Sequence, residues 1–191
     1  MSETIRCFLA FDIENNEVFR KLVSIQKLMI KTGANLKLVK SQNLHFTLRF
    51  LGNITIDLIN KISKKMEKID FTPFSIELKG IGVFPNLNYP RVIWVGITAG
   101  TKTLNSIFDQ IEIQLRQLGL DPDCRGFSPH LTLARVKSIR NIDQLITFVK
   151  NHADYNIGTV NLNTIYLKKS ELFPTGPIYS TIYEFPSKVE V

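Results

Sequence analysis

Cysteine and histidine are both scarce in this chain: two of the first and three of the second in 191 residues. Cys7 and Cys124 are too few and too far apart for a zinc site or a disulfide framework, and they point to a reducing compartment. No apolar run is long enough to span a bilayer. The opening Met1-Ser2-Glu3-Thr4-Ile5-Arg6 lacks the basic-then-apolar layout of a signal peptide, so the expected location is the cytoplasm. A glycine-rich phosphate loop is missing too. Gly80-Ile81-Gly82 has no third glycine and no helix after it, which argues against P-loop nucleotide hydrolysis and against an ATP-dependent ligase. No Asp, Glu or Cys stands near the histidines at ligand spacing, so no metal or other cofactor is expected. Ser128 lacks an acidic partner for a triad with His130, which removes acyl transfer. Low-complexity stretches and Pro/Ser-rich linkers are absent, and the length suits one large domain or two intimate lobes.

Against that background a short pattern occurs twice. Leu44-His45-Phe46-Thr47-Leu48 and Pro129-His130-Leu131-Thr132-Leu133 each set a histidine, an apolar residue, a threonine and a leucine in a strand-like run. Side chains two apart on a strand share a face. His45 and Thr47 therefore look one way while Phe46 and Leu48 enter a core, and His130 and Thr132 oppose Leu131 and Leu133 in the same manner. Imidazole titrates near neutrality, so two of them brought together can serve as acid and base. His152, in Asn151-His152-Ala153-Asp154, reads instead as a surface or helix-end residue, and Trp94 reads as core. The formal net charge of +7 favours a polyanionic partner. Lys61, Lys64, Lys65 and Lys68 read as a solvated helix face, whereas Arg49, Arg125, Arg135, Lys137 and Arg140 crowd the histidine strands and suggest a positive cleft.

In chain order the patterning predicts a central strand over 5–12, a helix over 17–32 stopped by Gly33, a short strand over 36–39 and the first histidine strand over 43–51, ended by Gly52. A helix capped by Thr55 or Asp57 runs to about Ile69. Strands over 74–83 and 91–98 flank a Pro- and Asn-rich loop, 84–90, and a third helix spans 103–118. After the second histidine strand, Asn141 and Gln144 resemble the capping box of a fourth helix. Strands over 160–168 and 178–185, separated by a loop over 170–177, close the chain. Several connections are too short for parallel crossovers, so the expected fold is α+β with antiparallel pairing and outer helices. Each half offers a strand and helix before its histidine strand, which suggests a duplicated, two-lobed fold lining a central cleft: one bilobal domain over 1–191 with a soft boundary near 84–90.

These residues resemble the 2H phosphoesterases and, within them, the RNA 2′,3′-cyclic phosphodiesterases once named 2′-5′ RNA ligases. Arg6-Cys7-Phe8-Leu9-Ala10-Phe11 is similar to the family's first strand. His45-Phe46-Thr47-Leu48-Arg49-Phe50-Leu51-Gly52 and Phe127-Ser128-Pro129-His130-Leu131-Thr132-Leu133-Ala134-Arg135 resemble its two motifs, and the segment ending Gly176-Pro177-Ile178-Tyr179 its closing loop. One His-x-Thr is a weak pattern, but two in these contexts are specific.

The resemblance implies hydrolysis of a 2′,3′-cyclic phosphate to a 2′-phosphate, with His45 as acid and His130 as base. The motif's symmetry leaves those two roles interchangeable on sequence alone. Thr47 and Thr132 would donate hydrogen bonds to phosphoryl oxygens, Arg135 would add a planar cation, and Phe50 would stack on a base or else pack in the core. Strict alternation turns both Arg135 and Phe50 away from the histidines, so a bulge or a strand end must re-aim them. The expected partners are RNA ends or nucleotides carrying the cyclic phosphate, tRNA-like fragments among them, met by a monomer. ATP-independent 2′-5′ joining would be the reverse reaction. The alternative is a non-catalytic RNA-binding module that uses the basic cleft without turnover.

Overall fold

A computed structural model describes residues 3–123, 126–174 and 176–188; Cys124 and the expected cleft cation Arg125 lie outside them. The elements are β1 (Thr4–Asp12), α1 (Asn16–Lys31), β2 (Leu36–Leu38), a 3-10 turn (Ser41–Asn43), β3 (His45–Thr55), α2 (Ile56–Met66), β4 (Phe74–Phe84), β5 (Val92–Ala99), α3 (Thr101–Arg116), β6 (His130–Val136), α4 (Ile142–Asn151), β7 (Asn156–Leu162), β8 (Thr164–Phe173) and β9 (Gly176–Pro186). Among the described residues the strands form one sheet in the order β7-β4-β5-β6-β3-β1-β8-β9, with β2 added on β6. Every pairing is antiparallel. The strands thus make one continuous sheet rather than two facing ones. Residues 85–91 join β4 to β5, whose ends pair at Phe84 and Val92.

Local chemistry sets the helix starts. The Asn15 side chain accepts from the Glu17 and Val18 amides at the head of α1, and Thr55 Oγ1 accepts from the Leu58 amide at the head of α2. Val18, Leu22, Ile25 and Met29 then recur at helical spacing and are buried, each such side chain contributing about 1.5–3 kcal/mol. α1 lies over β6 and β7, α4 over β4, and α2 against β3 and α3. The apolar partners of the two histidines, Phe46 and Leu131, are 3% and 0% exposed, so their shared face is the core.

Several boundaries differ from the sequence expectation. β3 does not stop at Gly52, which takes φ 73° and lets the strand continue to Thr55. The run expected as one strand over 160–168 is two, β7 and β8, meeting at Asn163. The expected closing loop over 170–177 is largely strand, since β8 pairs with β9 up to Phe173 and Gly176. Asn141 makes no capping box: it sits at φ 51° and its side chain donates to the Gly33 carbonyl.

Candidate active site

The two histidine strands are neighbours, registered through Phe46 and Leu131. One step either side of that pair, antiparallel counting sets His45 beside Thr132 and Thr47 beside His130. Each imidazole is fixed in the same way. His45 Nδ1 lies 2.7 Å from the Asn43 carbonyl oxygen, and His130 Nδ1 lies 2.7 Å from that of Ser128. A carbonyl only accepts, so Nδ1 carries the hydrogen in both rings and Nε2 is the nitrogen left for chemistry. His45 Nε2 is 3.0 Å from Thr47 Oγ1, a short link that holds the ring over its own threonine.

Alternation breaks immediately after each threonine. Ala10 pairs with Thr47 but Leu9 pairs with Arg49, leaving Leu48 as an extra residue. Trp94 pairs with Thr132 but Ile93 pairs with Ala134, leaving Leu133 extra in the same place. These bulges carry Phe50 and Arg135 back to the histidine face, and both are exposed. Phe50 is therefore not a core residue: it is 44% exposed and its ring stands 6.1 Å from that of Phe8. The Leu133 carbonyl at the second bulge accepts from Gln26 Nε2 at 2.9 Å and from the Val39 amide at 2.9 Å.

Arg49 departs from the expectation of a cleft cation. The first bulge turns it inward, where its Nε meets Glu112 Oε1 at 2.5 Å and its Nη1 approaches Asp123 at 3.7 Å. It also donates to the carbonyls of Phe50 and Asp121. Its charge is spent on fastening β3 to α3 and to the segment before the second motif.

The two rings sit in different surroundings. His45 packs against Phe8 at 4.9 Å and edge-on to Tyr179 at 5.3 Å, while His130 stands edge-on to Phe84 at 4.9 Å. Burial pushes His45 below its ordinary value of 6.5, the Asn43 carbonyl and Asp12 pull it back, and Lys168 and His130 press it down. His130 also falls through burial, with the Ser128 carbonyl opposing and Arg135 adding to the fall. Asp12, Lys168 and His130 thus act on His45, and Arg135 acts on His130. Burial raises the Tyr179 phenol, against the pull of Arg135 and Arg6.

Several site residues escaped the sequence reading. Trp94 is not simply core: it is the strand partner of Thr132, and its ring lies 5.0 Å from Phe84 and 6.5 Å from His130. Asn43 and Ser128 hold the rings by backbone carbonyls, and their equal spacing before each histidine is a signal the sequence did carry. Asn43 is itself buried and donates to the Pro177 carbonyl at 2.8 Å, fastening the β8–β9 turn beside the site. His152 lies at the end of α4, as expected, but it is partly buried with its ring stacked 4.1 Å from Phe148. Among the described residues no three His, Cys, Asp or Glu side chains converge as metal ligands. No helix there is long and apolar enough to cross a membrane.

A family model described as LigT like Phosphoesterase matches residues 13–94 and again 95–179. The chain belongs to the LigT-like phosphoesterase family. Among its LigT-like relatives, the RNA 2′,3′-cyclic phosphodiesterase of Methanocaldococcus jannaschii is 38% identical over 181 residues, covering 95% of this chain and 100% of the relative. That of Aeropyrum pernix is 38% identical over 164 residues, covering 86% of this chain and 93% of the relative. A crystal structure from Thermus thermophilus superposes with a TM-score of 0.79 at 25% identity, covering 95% of this chain and 97% of the other. Apo Escherichia coli LigT gives 0.79 at 22% identity, covering 98% of this chain and 100% of the other, and shares the fold.

Proposed function

We propose that this LigT-like protein is an RNA 2′,3′-cyclic phosphodiesterase that opens the cyclic phosphate to a 2′-phosphate by two-histidine acid–base catalysis without a metal. One observation carries the reading: two imidazoles, each locked through Nδ1 on a carbonyl two residues earlier, turn their Nε2 atoms to one face of adjoining strands. In the proposed step His130 Nε2 takes a proton from water as its oxygen bonds to phosphorus. The P–O3′ bond breaks and His45 Nε2 delivers a proton to O3′, so one water is consumed and both rings exchange charge states. Each role is typically worth ~10²–10⁴ in rate. Thr47 and Thr132 supply hydroxyls and Arg135 a guanidinium to the phosphoryl oxygens, where charge accumulates. Exposed Phe50 offers its face to the adjacent base. The names of the relatives support the substrate class. With an RNA 5′-hydroxyl replacing water as the nucleophile, the same opening of the cyclic phosphate is 2′-5′ joining.

The test is incubation with 2′,3′-cyclic AMP in excess chelator, with ³¹P NMR of the product. The expected product is the 2′-monophosphate. Turnover that vanishes in chelator, or a 3′-monophosphate, overturns the mechanism or the direction of opening. Salt-sensitive RNA binding with no product is the outcome that marks a binding module instead.

A further inference from the structure

The two histidines are nearly equivalent in backbone fixation, yet among the described residues only His45 has a carboxylate beside it. Asp12 is the β1 residue registered against His45. Its Oδ2 is held by Lys168 Nζ at 2.6 Å, across the pairing of β1 with β8. The lysine side chain is 12% exposed and lies 5.3 Å from the Tyr166 ring, whose hydroxyl donates to Glu14. Both nitrogens of His45 already have partners in Asn43 and Thr47, so Asp12 acts on the ring through space rather than by a hydrogen bond. The charged or titratable groups acting on His45 are Asp12 from β1, Lys168 from β8 and His130 from β6, and Tyr179 from β9 meets its edge. His130 has Arg135 in its place, and among the described residues no carboxylate acts on it.

We propose that Asp12 and Lys168 are positioning residues that make His45, rather than His130, the proton donor. Asp12 favours the imidazolium on the first motif, and Lys168 fixes that carboxylate while limiting its pull. On the other motif Arg135 opposes positive charge, which leaves His130 as the neutral base. This rests on the phosphodiesterase reading for its catalytic meaning, while the electrostatic claim stands by itself. The two members act in opposite senses, so a contribution to folding alone does not mimic them.

Ring resonances of both histidines are to be titrated by NMR in the free protein, for the wild type, Asp12→Asn, Lys168→Met and the double variant. The pH dependence of kcat/KM on 2′,3′-cyclic AMP is measured on the same four proteins. The His45 midpoint is expected to fall in Asp12→Asn and rise in Lys168→Met, each by about half a unit or more, with the double variant returning towards wild type and His130 moving less. The alkaline limb of kcat/KM should follow His45, and Asp12→Asn should lose about threefold or more at neutral pH. Single substitutions that move His45 in the same direction, or that move His130 as far, overturn the proposal, as does an alkaline limb that follows His130. Absence of hydrolysis in all four proteins counts against the phosphodiesterase reading, and the NMR midpoints then decide the electrostatic claim alone.

Discussion

Phe50 and Arg135 occupy the same place in the two motif strands: each stands five residues after its histidine, just beyond a bulge centred on Leu48 or Leu133. The two strands therefore present matching triplets, His45-Thr47-Phe50 and His130-Thr132-Arg135, whose third members differ in kind. One end offers an aromatic face and the other a cation. A nucleotide with a base at one end of its ribose and a phosphate at the other matches that asymmetry.

Loss of either ring should be costly. His45→Ala and His130→Ala are each expected to lower kcat on 2′,3′-cyclic AMP by about 10² or more. Near-wild-type turnover in either one removes the acid–base assignment.

The pH profile should carry the imprint of burial. In the proposed mechanism the free enzyme acts with His45 protonated and His130 neutral, and burial pushes both rings below the ordinary 6.5. The kcat/KM optimum is thus expected on the acid side of neutrality. A bound phosphate anion favours imidazolium, so the kcat profile should lie at higher pH than that of kcat/KM. A kcat/KM curve still rising above pH ~8 contradicts this, because both groups would then titrate above the ordinary histidine range.

Arg135 and Phe50 should fail differently. Arg135→Lys keeps the charge but loses the planar fork, and should lower kcat/KM about tenfold or more. Phe50→Ala should raise KM by about tenfold with little change in kcat, since stacking on a base is worth ~1–3 kcal/mol in ground state and transition state alike. Equal losses in kcat for both variants would deny Phe50 the role of a base platform.

Gln26 supports the second bulge from the far side of the sheet. Gln26→Leu removes its bonds to the Val39 and Leu133 carbonyls and should cost about 1–3 kcal/mol in urea denaturation. It should also raise KM, because Arg135 is aimed by that bulge. A stability loss with unchanged KM would show that the bulge holds without it.

Glu112→Ala should be the most damaging change away from the histidines. It strips Arg49, 8% exposed, of its 2.5 Å partner and leaves a buried cation with Asp123 at 3.7 Å. Breaking such a pair costs about 3–5 kcal/mol, read as a shift of the unfolding midpoint. A shift of less than ~1 kcal/mol would mean that Asp123 replaces it.

Period-two alternation was enough to set His45, Thr47, His130 and Thr132 on one face, because no irregularity falls between the histidine and the threonine of either motif. It could not set Phe50 or Arg135, since an inserted residue has no signature in apolar spacing; only the resemblance pointed to them. For the same reason Arg49 looked like a cleft cation although the bulge turns it inward. Helix positions were legible from their apolar stripes. The β8–β9 pairing was not, because Pro174 and Gly176 read as loop while the flanking residues pair edge to edge. Asp12 and Lys168 were invisible as neighbours of His45: they are far apart in sequence and meet it only through the sheet order.

The sheet order also bears on the twofold match of the family model. β4, from the first matched stretch, is flanked by β5 and β7, whereas β1 is flanked by β3 and by β8 from the second stretch. A polypeptide carrying 13–94 alone would lack β1 and keep only a stub of β5, leaving β3 without the β1 and β6 that flank it. Strands of the two matched stretches thus alternate across the sheet, and neither stretch has its strand neighbours by itself.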